Sequence, residues 1–289
     1  MTVTSSRPSR PRPARPALTL RWWVRRPNLL IGALLIGLIV FAAIFAPFIT
    51  TGEPYQQDLM QSLQPPSLAH PFGTDQFGRD IFTRVIYGAR ISLLEAVVCA
   101  GLAVLIGVPL GLISGTAGRR VDAAIMWTMD VIFAFPAVVL AILIVSILGP
   151  SLINLLIANA VFSIPVYARL TRNIALGLRE MEYVEAARAL GAGRLRIMFD
   201  QMLRNALAPI IVQATLTAGT VLLSAASLSF LGLGAQPPLP EWGAMMSEGR
   251  NFIGVNVYLS LFPGLAVMVM VLGFNLLGDG LRDLLDPRP

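Results

Sequence analysis

The stretch EAARALGAGRLRIM, residues 185–198, decides how this chain is read. It is short, charged and alanine-rich, and it lies between two apolar runs of membrane length. Tyr183 to Leu190 contains strong helix formers, enough for about two turns. Gly191 suits a helix C-terminus or sharp bend, because it accepts positive φ without a steric penalty. Beyond it, Leu195, Met198, Phe199 and Met202 recur at helical spacing and predict one apolar face, with Arg194 and Arg196 elsewhere. The segment reads as helix, glycine bend, helix. The pattern leaves two roles open: an interfacial helix resting on lipid with Glu185 paired to Arg188, or a docking element for another protein.

The rest of the chain sets the context. Of its 289 residues 55% are hydrophobic and 13% charged, against about 25% charged in soluble domains. A hydrocarbon core about 30 Å thick needs roughly 20 apolar residues of helix. Leu29 to Ile49 carries no charge, Ile91 to Gly118 only Glu95, and Ala123 to Ala168 only Asp130. That last stretch is too long for one span, and Gly149-Pro150 divides it. Asn205 to Pro240 and Asn251 to Gly278 are uncharged, with a span expected near 206–231. The expectation is an all-α integral membrane protein with six transmembrane helices.

All 22 basic residues are arginine. With the N-terminus inside, segments 1–28, 114–122, 169–205 and 278–289 carry eighteen of them, and only Arg79, Arg84, Arg90 and Arg250 lie outside. This bias predicts cytoplasmic termini and a cytoplasmic 185–198 segment. Arginines flanking apolar spans report topology and contact with membrane lipid, and no nucleic-acid partner is expected. The organisation follows: a disordered basic tail over 1–28, a first span over 29–49, an extracytoplasmic segment over 50–90, and the remaining five helices over 91–289. A cleaved signal peptide competes for the N-terminus, but the apolar run is too long and ends in APFIT without a small-x-small site.

Candidate chemistry is sparse. One cysteine, Cys99, excludes an internal disulfide framework, and with one histidine, His70, a cysteine–histidine metal site is not expected. Cys99, inside an apolar run, reads as a small packing residue. In GTDQFGRD, residues 73–80, Gly73 and Gly78 permit tight turns, while Asp75 and Asp80 either pair with Arg79 or cap a helix beginning near Asp80. Metal binding by Asp75, Asp80 and His70 is the weaker alternative, and an external structural clasp the stronger. Asp130 and Glu95 are intramembrane carboxylates. Asp130 is expected to be buried and hydrogen-bonded, facing neighbouring helices or a pathway; a proton relay is its alternative role. A P-loop needs the lysine of GxxxxGK[ST], so a lysine-free chain contains none. If ATP drives transport, another polypeptide hydrolyses it.

Glu185-Ala186-Ala187, three residues, then Gly191 resembles the EAA motif of type I ABC-importer permeases. HPFGTDQFGRDIFTRVIYGARISL (70–93), SFLGLGAQPPLPEWGAMM (229–246) and NLLGDGLRDLLDPR (275–288) are similar to stretches of the C-type permeases of dipeptide, oligopeptide and nickel importers. The likeness runs from Pro27 onward. It departs at Gln201 and Arg204, where that family usually has isoleucine and proline. The resemblance implies a type I transmembrane domain with a cytoplasmic coupling region, 171–205, in which Glu185, Ala186, Ala187 and Gly191 meet an ATPase. It makes Gly73, Thr74, Asp75, Gly78, Arg79 and Asp80 an external structural motif. It implies a second, homologous permease subunit, two ATP-binding subunits using ATP and Mg, an extracytoplasmic substrate-binding protein, and a bacterial cytoplasmic membrane. This chain would have no catalytic residues, no metal and no cofactor of its own. Short peptides are the implied cargo, with nickel, haem or glutathione as alternatives and an ion-coupled carrier as the class-distinct one.

Overall fold

Ala103, Gly107, Gly111 and Gly115 recur every fourth residue and so form one flat strip on a helix. In the computed structural model, which describes residues 26–50 and 52–285, that strip lies in the most extensive helix contact, with the helix Leu152–Arg179. The described helices are α1 (Pro27–Ile44), α2 (Ile81–Ala117), α3 (Arg119–Phe133), α4 (Ala137–Leu148), α5 (Leu152–Arg179), α6 (Glu182–Ala189), α7 (Arg204–Phe230), α8 (Trp242–Gly249) and α9 (Tyr258–Leu285), with a few single turns between them. A Cβ on Gly107 would lie 2.8 Å from Tyr167 Cβ, one on Gly111 2.8 Å from Thr171 Cβ, and one on Gly115 2.6 Å from Ala175 Cβ. Small residues let two backbones approach where lipid supplies no hydrophobic drive. Further up, Cys99 packs fully buried with its Sγ 3.4 Å from the Leu156 carbonyl. Residue numbers rise together on both helices, so α2 and α5 are parallel.

Parallel neighbours require the chain to return between them, and α3 with α4 makes that return. The pair is bent by 89° at Ala134–Pro136, yet it climbs alongside α5. Asp122 pairs with Arg172, Asp130 with Arg169, and Phe133 stacks near Phe162. Higher up, Ala141 and Val145 share a core with Leu155 and Ala158. The third crossing is therefore a broken span. Five helices are long and apolar enough to cross alone, and the bent pair makes six.

Two boundaries differ from the sequence expectation. The first span was expected to run to Ile49, but α1 ends at Ile44 and a separate turn covers Ala46–Ile49. Pro47 has no N–H for the Ala43 carbonyl; Arg90 Nε donates to that carbonyl instead at 2.5 Å, and its Nη2 to Ile44 O at 3.3 Å. The extracytoplasmic segment was expected to run to residue 90, but the second helix already starts at Ile81, behind the Asp80 cap that the sequence offered. Its 37 residues extend about 55 Å, well beyond the bilayer core. The basic tail expected over 1–28 lies, up to residue 25, outside the described residues.

α9 runs antiparallel to both α1 and α7. Gly280 abuts Leu29 and Gly273 abuts Ile36, while Gly278 abuts Leu216 and Gly219 abuts Phe274. The ends near residues 27, 117, 179 and 285 therefore share one face of the bundle, and the 50–80 and 231–257 segments share the other.

Candidate functional site

The face carrying the ends of the described helices near residues 27, 117, 179 and 285 also carries α6. Its first turn holds Glu182 and Glu185, whose charge suits the positive end of the helix dipole. Val184 is its single buried residue and joins a core with Ile197, Met198, Met202 and Ala206. Glu185 and Ala186 are exposed and Ala187 half-buried. One side chain thus anchors the helix while the opposite face stays open. No ion pair joins Glu185 to Arg188 among the described residues.

Gly191 sits at φ +84° and closes α6 in a Schellman motif. Its N–H donates to Arg188 O and the Ala192 N–H to Ala187 O, both at 3.0 Å. This positive φ is a conformation L side chains rarely adopt. Past the bend, Arg194 Nη2 donates to the Thr116 carbonyl at the foot of α2, at 2.8 Å. The apolar face expected there is corrected. Met198 and Met202 are buried along with Ile197, but Leu195 and Phe199 are 68% and 54% exposed. The cause is a π-helical run over Ile197–Leu203, whose wider turn rotates side chains away from 3.6-residue spacing.

On the opposite face, residues 54–84 fold into a clasp. Asp75 accepts from Arg79 Nε at 2.5 Å and from the Phe77 and Arg79 N–H groups at 2.8 and 3.0 Å. Arg79 Nη2 donates to Glu248 of α8 at 2.8 Å. Arg84 lies within 3.8 Å of Asp75 and 3.5 Å of Glu248, and donates to Pro54 O and Pro238 O. Asp75, Arg79 and Arg84 are at most 5% exposed, so two arginines and two carboxylates neutralise one another out of water. Asp80 caps α2 through Thr83 N–H at 2.7 Å and meets His70 Nδ1 at 3.1 Å. Thr74 Oγ1 bonds to Gln61 O and accepts from Gln64 N–H. Gly73 and Gly78 both have positive φ, and a Cβ on Gly78 would collide with the Asp58 carbonyl.

Asp130 is hydrogen-bonded to a neighbouring helix as expected, through Arg169 Nη2 of α5 at 2.6 Å, but the expected burial is corrected: its side chain is 64% exposed within this chain. About two turns earlier, Asp122 is the better-held acid, gripped by Arg172 at 2.5 and 2.6 Å and by Ser114 Oγ at 2.5 Å. Glu95 is fully buried. Glu241, also fully buried, caps α8 by accepting from Gly243 and Ala244 N–H at 2.7 and 2.8 Å; its burial pushes its carboxyl above the usual range despite those bonds. Arg84, Glu241, Glu248 and the Asp122–Arg172 pair were missed by sequence reasoning. Their one sequence signal is a charge close to an otherwise uncharged run.

Among the described residues, helices that span a membrane several times, with a short exposed helix on one face and a charged clasp on the other, define a polytopic helical membrane protein. Residues 107–289 match the family described as binding-protein-dependent transport system inner membrane component, and residues 18–66 match the N-terminal TM domain of oligopeptide transport permease C. The chain is 51% identical over 259 residues to the dipeptide transport system permease protein DppC of Alkalihalophilus pseudofirmus, covering 90% of this chain and 85% of that one. It is 45% identical to the probable D,D-dipeptide transport system permease protein DdpC of Escherichia coli, covering 93% and 91%. It is 47% identical to the glutathione transport system permease protein GsiD of Pectobacterium atrosepticum, covering 77% and 74%. A chain of the MetNI methionine ABC transporter superposes with TM-score 0.57 at 21% identity, covering 70% of this chain and 96% of that chain, which establishes likeness of fold. The chain belongs to the binding-protein-dependent transport inner membrane component family. It is a permease subunit of an ABC importer, with a role in transport rather than catalysis.

Proposed function

We propose that this chain forms half of a translocation pathway for short peptides, driven by ATP that separate subunits bind and hydrolyse. The relatives named for dipeptide transport, alike over some nine-tenths of the chain, carry the substrate reading. The exposed Glu185–Ala187 face, anchored by Val184 and bounded by the Gly191 bend, supports docking of an ATP-binding subunit there. Ala186 and Ala187 allow close approach and Glu185 offers a charged contact. A floppy loop could not transmit displacement, whereas a helix tied to α2 through Arg194 and to the core through Val184 can.

The pathway lies between this subunit and a second, homologous permease. An extracytoplasmic binding protein delivers substrate to the face built by the clasp, Gly73 to Asp80. The arginine bias supports a cytoplasmic position for α6 and both termini, and the bacterial relatives support a bacterial cytoplasmic membrane. This chain holds no cofactor; ATP and Mg belong to the partner subunits. The GsiD relative favours glutathione as the second reading of cargo. The test is uptake of a labelled dipeptide by cells lacking this chain and by cells with it restored. Restoration of dipeptide uptake supports the reading; restoration of glutathione uptake alone selects the second.

A further inference from the structure

Three arginines flanking α6 have a carboxylate: Arg169 has Asp130, Arg172 has Asp122, Arg196 has Asp200. Among the described residues Arg179, Arg188, Arg194 and Arg204 do not, and the first three of these share a site. Arg179 at the end of α5, Arg188 on α6 and Arg194 past the bend converge on one cavity of about 470 Å³, floored by Thr116, Ile197 and Met202. No acidic residue lines it, and among the described residues Arg194 alone of the three donates a side-chain hydrogen bond, to Thr116 O. Three exposed like charges with no acidic residue in the lining give the cavity a positive potential, which favours an anion arriving from outside.

We infer that this cavity receives acidic side chains of an ATP-binding subunit, as a second contact behind the exposed face of α6. The inference rests on the docking role proposed above and deepens it. Depth decides between a protein and a lipid phosphate. Arg169 and Arg172 are the first charges after the apolar run of α5, and Arg179 follows seven residues beyond Arg172, about 10 Å further along the helix. The headgroup layer is about 5–7 Å thick on each side of the core, so an inner-leaflet phosphate sits above the cavity. Exposed Met181, Leu190 and Leu195 around α6 also suit a protein surface. The docking surface is then bipolar: Glu182 and Glu185 call for basic partners in front, and the three arginines call for acidic ones behind.

The experiment uses the assembled transporter with its own ATP-binding subunits. The double variant Arg179→Gln/Arg188→Gln keeps the Arg194–Thr116 bond and removes two exposed charges. Attachment of the ATP-binding subunits is measured from low to high salt, in detergent and in vesicles of phosphatidylglycerol or phosphatidylcholine. The expected result is roughly tenfold weaker attachment at low salt, a shallower salt dependence, and the same loss in all three settings, with Arg179→Lys/Arg188→Lys close to the unsubstituted complex. Unchanged attachment in the double variant, beside lost attachment in Glu185→Arg, overturns the cavity assignment and leaves the docking helix standing. A loss confined to phosphatidylglycerol vesicles also overturns it, in favour of lipid. Unchanged attachment in both the double variant and Glu185→Arg removes the docking role of α6 itself.

Discussion

Arg79 Nη2 donates to Glu248 Oε2 at 2.8 Å across 169 residues of sequence. This bond ties the loop before α2 to α8, and with Asp75 and Arg84 it forms a four-charge network almost out of water. Removing one member strands its partner in a dry site. Arg79→Gln is expected to cost about 3–5 kcal/mol, the range for breaking a buried pair, and Asp75→Asn a comparable amount. Thermal unfolding of the purified chain in detergent checks this; a loss below about 1 kcal/mol would class the network with ordinary surface pairs.

The α2–α5 contact predicts opposite signs for two identical substitutions on one helix. Gly111→Ala puts a Cβ 2.8 Å from Thr171 Cβ and against Ala168 O, so it should lower stability by about 1–3 kcal/mol. Gly101→Ala meets open space and should gain about 0.5–1 kcal/mol from helix propensity. Thermal midpoints of the two variants, measured side by side, should move apart. Equal shifts would contradict the parallel packing.

Asp130 separates an ATP-driven permease from an ion-coupled carrier. As an exposed partner of Arg169 it should contribute less than about 1 kcal/mol. Asp130→Asn should retain most uptake, and uptake should continue with ATP present and the proton gradient collapsed. Abolished uptake in the variant, together with loss on collapsing the gradient, would restore the relay.

The division of labour gives a further expectation. A lysine-free chain lacks the P-loop lysine, so the purified chain should hydrolyse no ATP. Turnover above background in a preparation free of other subunits is the contrary result.

The spans were legible because membrane solvation forbids charge over roughly 20 residues, and five uncharged or nearly uncharged runs show this directly. The short helix at 185–198 stood out for the converse reason. FAFP at 133–136 carries a proline that ends a helix, but nothing local in the sequence gives the 89° angle. The π-helical run was not legible, because Leu195, Met198, Phe199 and Met202 fit a 3.6 period as read and only the fold chooses the wider turn. Asp75 with Arg79 is a local pair and could be suspected; Glu248 could not, because nothing in sequence marks a partner 169 residues away. Asp130 misled because intramembrane position was taken to mean burial within the chain.

The central claim is that α6 transmits ATPase motion into the bundle. Glu185→Arg reverses its exposed charge, and Gly191→Val forces a β-branched residue to φ +84°. Neither residue lies in a long span, so insertion should be unchanged. The deciding measurement is substrate uptake and ATP hydrolysis in the reconstituted full complex. The account predicts low uptake in both variants, with Glu185→Arg shedding ATP-binding subunits and Gly191→Val keeping them but uncoupling hydrolysis from uptake. Normal uptake by both, with ATP-binding subunits attached as in the unsubstituted complex, would contradict it.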